Sequence, residues 1–271
     1  MVTNPKTIKQ TGLIQVILAS SFVIWLLFFP SSGDNFAWPV TPKMTALFLG
    51  AGFIVRTYIG YFLWREPYWY RLRWQKWGNY GFLAFIFLAT FWHIDEMNWE
   101  TNLLVAHIWV VAYIVEPLIL PLLEPRGPAS KEAYPEAEKK GPVMQGLKVS
   151  AAFGLVVSVT VGGLMVINPE FADSRWPWPL DPFNARVMAA FFALTALWCV
   201  TIYLAEDWVE IKRTVLGLII FAVSQFIVWL VNLGQFDPAR ENNAAYGLGL
   251  GLFAVLFIYY YWKQERASHN A

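Results

Sequence analysis

Trp38-Pro39-Val40-Thr41-Pro42 and Trp178-Pro179-Leu180-Asp181-Pro182 stand 140 residues apart, each just ahead of a long apolar run. Working outward from them, apolar stretches fall at 13–30, 43–64, 78–95 and 103–123, then again at 148–168, 185–205, 214–234 and 245–262. About 20 apolar residues cross roughly 30 Å of hydrocarbon, and lipid tolerates no unpaired backbone amide, so runs of this length read as membrane-spanning helices. The expected fold is therefore an all-α integral membrane protein of eight transmembrane helices. Four spans return the chain to the side it left, so the two quartets form parallel repeats related by a pseudo-twofold axis along the membrane normal.

Composition agrees. The 271 residues are 57% hydrophobic and 14% charged, too apolar for a soluble domain of this size. Cys199 is the single cysteine, which excludes an internal disulfide and a cysteine-based metal cluster. Lys6 and Lys9 ahead of the first run suggest a cleaved leader, but Ser31 through Ala37 make a poor cleavage site, and the repeat needs this segment opposite the fifth span.

Basic residues fix the expected orientation. Lys43, Arg175, Arg186 and Arg240 fall on one side and Arg56 within a span, while every other Lys and Arg, Lys131 among them, falls on the side of the chain ends. The positive-inside rule then places both termini in the cytoplasm. Residues 1–123 form the first repeat and 148–271 the second, with 124–147, proline-rich and charged in both signs, as a cytoplasmic linker.

Proline cannot donate a backbone hydrogen bond and restricts its predecessor, so the Trp-Pro strings precede helices rather than begin them. Trp38 and Trp178 read as interfacial anchors at the headgroup level. Residues 67–77 interleave aromatic and basic side chains between two spans. Trp69, Trp74, Trp77, Arg71 and Arg73 there read as anchors to anionic headgroups rather than as a nucleic-acid surface. Gly247 and Gly251, one turn apart, offer a close-packing face, with Gly162, Gly163, Ala189, Ala190 and Ala193 as expected receiving surfaces.

Two ionisable residues lie deep in the bilayer. Arg56 is 13 residues past Lys43 and Glu116 14 residues past Asn102, depths of about 20 and 21 Å. A lone charge there costs several kcal/mol, so the two are expected to pair, with the Tyr113 carbonyl freed by Pro117 as a second acceptor. Ala196 and Leu256 stand at the corresponding places in the second half. A second polar group, His93, Asp95, Glu96 and His107, lies near the far side; two facing imidazoles can ligate haem iron, or with a carboxylate hold a divalent metal. No histidine pair falls at ligand spacing on one helix, so satisfied interfacial histidines are the simpler reading and no cofactor is expected.

No phosphate loop, metalloprotease helix or serine–histidine pairing occurs, which turns the reading away from an enzyme. The favoured function is a non-catalytic membrane protein binding an apolar ligand, a lipid or a partner membrane subunit, including a second copy of itself. Its 15 Trp, 12 Tyr and 21 Phe supply flat apolar surface. The alternatives are a small-solute or ion transporter working through Arg56 and Glu116, and a haem- or metal-dependent oxidoreductase using His93 and His107.

Overall fold

A computed structural model describes residues 3–126, 135–236, 240 and 242–269. Its helices are α1 (Lys6–Phe28), α2 (Lys43–Arg65), α3 (Gln75–Trp92), α4 (Leu103–Leu123), α5 (Gln145–Ile167), the short α6 (Pro169–Arg175), α7 (Pro182–Leu204), α8 (Trp208–Val231) and α9 (Asn243–His269). Among the described residues there is no strand, only two isolated bridges, Thr3 with Tyr68 and Pro142 with Asp207. Seven of the helices are long and apolar enough to cross a membrane; α3 is not among them. Its 18 residues open with Gln75, Lys76 and Asn79, and it stops at Trp92, where Ile94–Glu96 tightens into a 3₁₀ turn. The chain is an all-α, multi-pass membrane protein. Of the linker, residues 127–134, Lys131 included, lie outside the described residues.

The remaining helices overrun the apolar stretches. Helix α1 begins at Lys6, not at 13, because Lys and Arg stems lie along apolar surface while their charge stays in water. The starts of α7 and α8 are built by side-chain caps: Asp181 accepts from the Asn184 amide at 2.8 Å and Asp207 from the Val209 amide at 2.9 Å. Such caps satisfy amides that a helix leaves without partners.

Helices α2 and α7 form the centre. Their most apolar stretches are 72% and 67% buried, against 28% or less for α1, α4, α5 and α9. Helix α1 packs on α2 and α5 on α7, while α3 leans on α7 and α8 on α2, so each half covers the other's central helix. The outer helices expose Phe28, Leu104, Ile167 and Val231, an apolar perimeter suited to lipid.

Hydrogen bonds cross between the halves in matched pairs. Trp38 Nε1 donates to Asn184 Oδ1 at 2.9 Å, and Trp178 Nε1 donates to Thr45 Oγ1 at 3.0 Å. Likewise Tyr58 donates its hydroxyl to the Arg213 carbonyl at 2.8 Å and Trp198 Nε1 donates to the Gln75 carbonyl at 2.8 Å. Trp38 and Trp178 are 1% and 2% exposed, and Trp69 2%, so these three are core residues and not headgroup anchors. A buried indole needs an acceptor, and the neighbouring half supplies one for Trp38 and Trp178. Trp77, 46% exposed, does face outward.

Candidate functional site

Arg56 is 1% exposed on α2, and its Nη2 donates to both carboxylate oxygens of Glu116 on α4 at 3.1 Å. Its Nη1 donates to Asn79 Oδ1 on α3, and the guanidinium lies 4.5 Å from the Phe82 ring centre. The second acceptor is therefore Asn79, not the Tyr113 carbonyl. Pro117 does leave α4 helical from Leu103 to Leu123, so the freed carbonyl is absorbed without a break. Asn79 escaped the sequence reading because an asparagine near a span's start resembles an interfacial residue. The void beside it, between Ile59, Lys76 and Leu120, holds about 10 Å³, the size of a single water. Three helices thus converge on one charge, and the group is closed.

The face carrying the chain ends is held by further ion pairs. Glu66, 3% exposed, accepts from Arg213 of the other half at 2.5 Å and from Arg71 at 3.5 Å. Arg71 also reaches Glu138 at 2.9 Å, and Tyr70 donates its hydroxyl to the same carboxylate at 2.7 Å. The hydrogen bond from Arg71 holds the Glu138 carboxyl below its usual value, against the opposing effect of burial. Arg71 is therefore a structural tether as much as a headgroup contact, whereas Arg73 lies over the Trp74 ring at 5.2 Å.

The two histidines are engaged separately. His93 Nε2 faces Arg186 Nη1 at 2.7 Å, and its Nδ1 faces Glu96 Oε1 at 2.6 Å, with Phe183 stacked 4.7 Å away. A guanidinium can only donate, so Nε2 accepts and Nδ1–H donates to Glu96. Both ring nitrogens are then occupied, and neither lone pair is left for a metal. His107 Nδ1 donates to the Leu103 carbonyl at 2.7 Å on its own helix. Asp95 joins neither, and no group of three His, Cys, Asp or Glu among the described residues is arranged to hold a metal. Arg186, noted in the sequence only for its sign, is the partner that organises His93.

Gly247 and Gly251 do pack a helix, but onto rings of α8: added β-carbons would meet Trp229 and Phe226 rather than the small residues of α5 and α7. Gly162 instead receives Phe192 of α7.

The largest enclosed space lies in the second half. A cavity of about 450 Å³ runs between α5 and α9, floored by α7 and α8, within the roughly 300–1,000 Å³ typical of ligand sites. Phe153, Val157, Met165, Phe192, Phe253 and Leu256 are among its apolar lining. Helices α5 and α9 touch near the face of the chain ends, where a β-carbon on Gly146 would strike Tyr260, and again at Gly154 and Phe253. Beyond that point they diverge, and a β-carbon on Gly249 would meet nothing within 4 Å.

The first half shows why this space exists. Trp109 on α4 stands 140 residues before Gly249 and is wholly buried. Its indole packs on Trp38 at 4.6 Å, Tyr113 at 4.2 Å and Phe22 at 5.6 Å, and donates to Thr90 at 3.0 Å. An indole thus fills the first half at the place that glycine leaves open in the second. Setting aromatic residues beside their counterparts 140 positions on would have revealed this; comparing ionisable residues alone did not. Comparison of the chain with protein-family models, curated proteins and solved structures finds no match.

Proposed function

We propose that this chain is a non-catalytic membrane protein that binds an apolar ligand or lipid chain between α5 and α9. One observation carries the reading: the apolar cavity stands where Gly249 replaces the indole that packs the first half. Natural interiors are close-packed, so an apolar void of this size between helices calls for an occupant. It opens sideways, between helices whose outer faces carry the exposed Phe153 and Leu252, so the occupant enters from lipid.

The reading includes a duplicated architecture: eight crossings, with α3 as the polar one, in two parallel four-helix units. The reciprocal bonds of Trp38 with Asn184 and Trp178 with Thr45 support it, as do α1 and α2, whose bounds lie 139 residues before those of α5 and α7. The clustering of Lys and Arg at the face of the chain ends supports cytoplasmic termini. In this scheme the ion pair of Arg56 and Glu116 clamps the first unit, and the second unit carries the binding site.

Purification in mild detergent, followed by mass spectrometry of what stays bound, tests the reading. A lipid or other apolar molecule should accompany the native protein and be missing from Gly249→Trp. Identical co-purifying species in both would end it.

A further inference from the structure

The cavity's two ends differ in chemistry. Towards the chain ends its wall is apolar, with Ser150 donating its own hydroxyl back to the Gly146 carbonyl. At the other end three donors line it without an acceptor among the described residues. Trp176 is 8% exposed and its buried indole N–H has no hydrogen-bond partner. The Tyr246 ring is clasped edge-on by Trp176 at 5.3 Å and Trp178 at 5.6 Å, and its hydroxyl makes no hydrogen bond with a described residue. Arg175 is exposed at the mouth, lying over Phe171 at 5.8 Å, and no carboxylate among the described residues pairs with it. The neighbouring acid, Asp173, is taken by Arg240 at 3.1 Å.

An orphaned indole donor in an apolar interior is costly, and buried polar groups in native proteins are nearly all satisfied. Donors at one end of an apolar slot, with a guanidinium among them, match a ligand that carries an anionic acceptor on a hydrocarbon chain. Length agrees. The lining on α5 runs from Ser150 to Met165, a rise of about 22 Å, longer than the roughly 15 Å depth of one hydrocarbon leaflet.

We propose that the cavity takes a single-chain anionic amphiphile, its carboxylate or phosphate held by Arg175, Trp176 and Tyr246 and its chain laid between α5 and α9. This rests on the apolar-ligand reading above and adds the chemistry of the head.

Equilibrium binding to the full chain in nanodiscs tests it, with radiolabelled palmitate, monoacyl phosphatidylglycerol and hexadecanol as probes. Palmitate or the monoacyl phospholipid should bind at least about 10-fold tighter than hexadecanol, a ratio set by one charge-assisted hydrogen bond. The tighter of the two anions identifies the head as carboxylate or phosphate. Arg175→Gln and Trp176→Phe should each weaken the anion by about 10-fold and leave hexadecanol unchanged. Gly249→Trp should abolish binding of all three probes; Val161→Phe, which installs the aromatic that Phe22 provides in the first half, serves if that variant fails to fold. Equal binding of hexadecanol and both anions, indifferent to Arg175 and Trp176, overturns the anionic head while sparing the apolar site. Undiminished binding in the folded cavity-filling variants, or no saturable binding of any probe, overturns both.

Discussion

Removing Glu116 should be the most damaging single change in the first half, and its size follows from the geometry. Arg56 is 1% exposed and meets the carboxylate at 3.1 Å. Two unit charges about 4 Å apart at an effective dielectric near 20 attract by about 4 kcal/mol. Breaking a buried pair by deleting one partner costs about 3–5 kcal/mol, because the survivor stays buried without compensation. Asn79 and the face of Phe82 still contact the guanidinium, which puts Glu116→Ala near the lower bound, about 3 kcal/mol. At roughly 2–4 °C per kcal/mol for a chain of this size, the melting temperature should fall by about 6–12 °C. Tryptophan fluorescence during thermal unfolding in detergent measures it. Replacing both partners, Arg56→Met with Glu116→Leu, should recover much of the loss but leave Asn79 buried with both amide atoms unpaired, at about 1–3 kcal/mol. Adding Asn79→Leu should return stability to within about 1 kcal/mol of the native chain, since an apolar set of similar volume replaces a buried ionic one at little net cost. A triple variant as unstable as Glu116→Ala would refute the account and make the charges themselves necessary.

Other outcomes follow from the same contacts. Trp38→Phe deletes the donor to Asn184, which is wholly buried, and should cost about 1–3 kcal/mol in denaturant or thermal unfolding; Trp178→Phe, opposite Thr45, should cost a similar amount. Gly247→Leu drives a side chain into the Trp229 ring and should destabilise α8 against α9 by about 1–3 kcal/mol, read as faster hydrogen exchange in α9. Glu138, held below its ordinary value chiefly by the Arg71 hydrogen bond, has a folded pKa under its unfolded one. Its contribution is therefore present above about pH 4.5 and lost as pH falls through the lower folded value. Hydrogen exchange of the segment around Glu136–Glu138 should rise on acidification, and Glu138→Gln should remove that pH dependence.

The apolar spans were legible because hydrocarbon thickness and backbone desolvation leave helices few alternatives. Arg56 with Glu116 was legible for a related reason: a deep guanidinium must find a counter-charge, and only one carboxylate lies at its depth. What escaped the reading are the partners whose sequence signal is ambiguous. Asn79 at the start of α3 and Trp38 ahead of α2 both resemble interfacial residues, since a polar or amphipathic side chain at a span's end suits headgroups and cross-half hydrogen bonds equally. Helix α3 falls short of the apolar threshold for the same cause, because the polar residues of its first turns are spent on the interior, Asn79 on Arg56 and the Gln75 carbonyl on Trp198. His93 and His107 share a region of the sequence but not a site, because Arg186, distant in the chain, takes the lone pair a metal would need.

The division between the halves is consistent down to single positions. Leu256 stands 140 residues after Glu116 and lines the cavity; Ala196 stands the same distance after Arg56 and is buried in α7. A charge clamp across α2, α3 and α4 ties α4 inward and needs a packed, water-free surround, which Trp109, Tyr113 and Phe82 supply. The counterpart of α4 is α9, which has no such clamp and carries glycine at 249. Without a charge to hold it or an indole to pack beneath it, α9 separates from α5 past Phe253 and leaves the slot. Carrying Trp109 across as Gly249→Trp should therefore close the slot without disturbing the first half. Carrying Arg56 and Glu116 across, as Ala196→Arg with Leu256→Glu, should fail, since the second half lacks an asparagine at the place of Asn79, where Leu218 or Ile219 stands. Loss of folded protein for that pair, beside a folded Gly249→Trp, would separate the two inheritances; a stable charged variant would show that the clamp does not need its third helix.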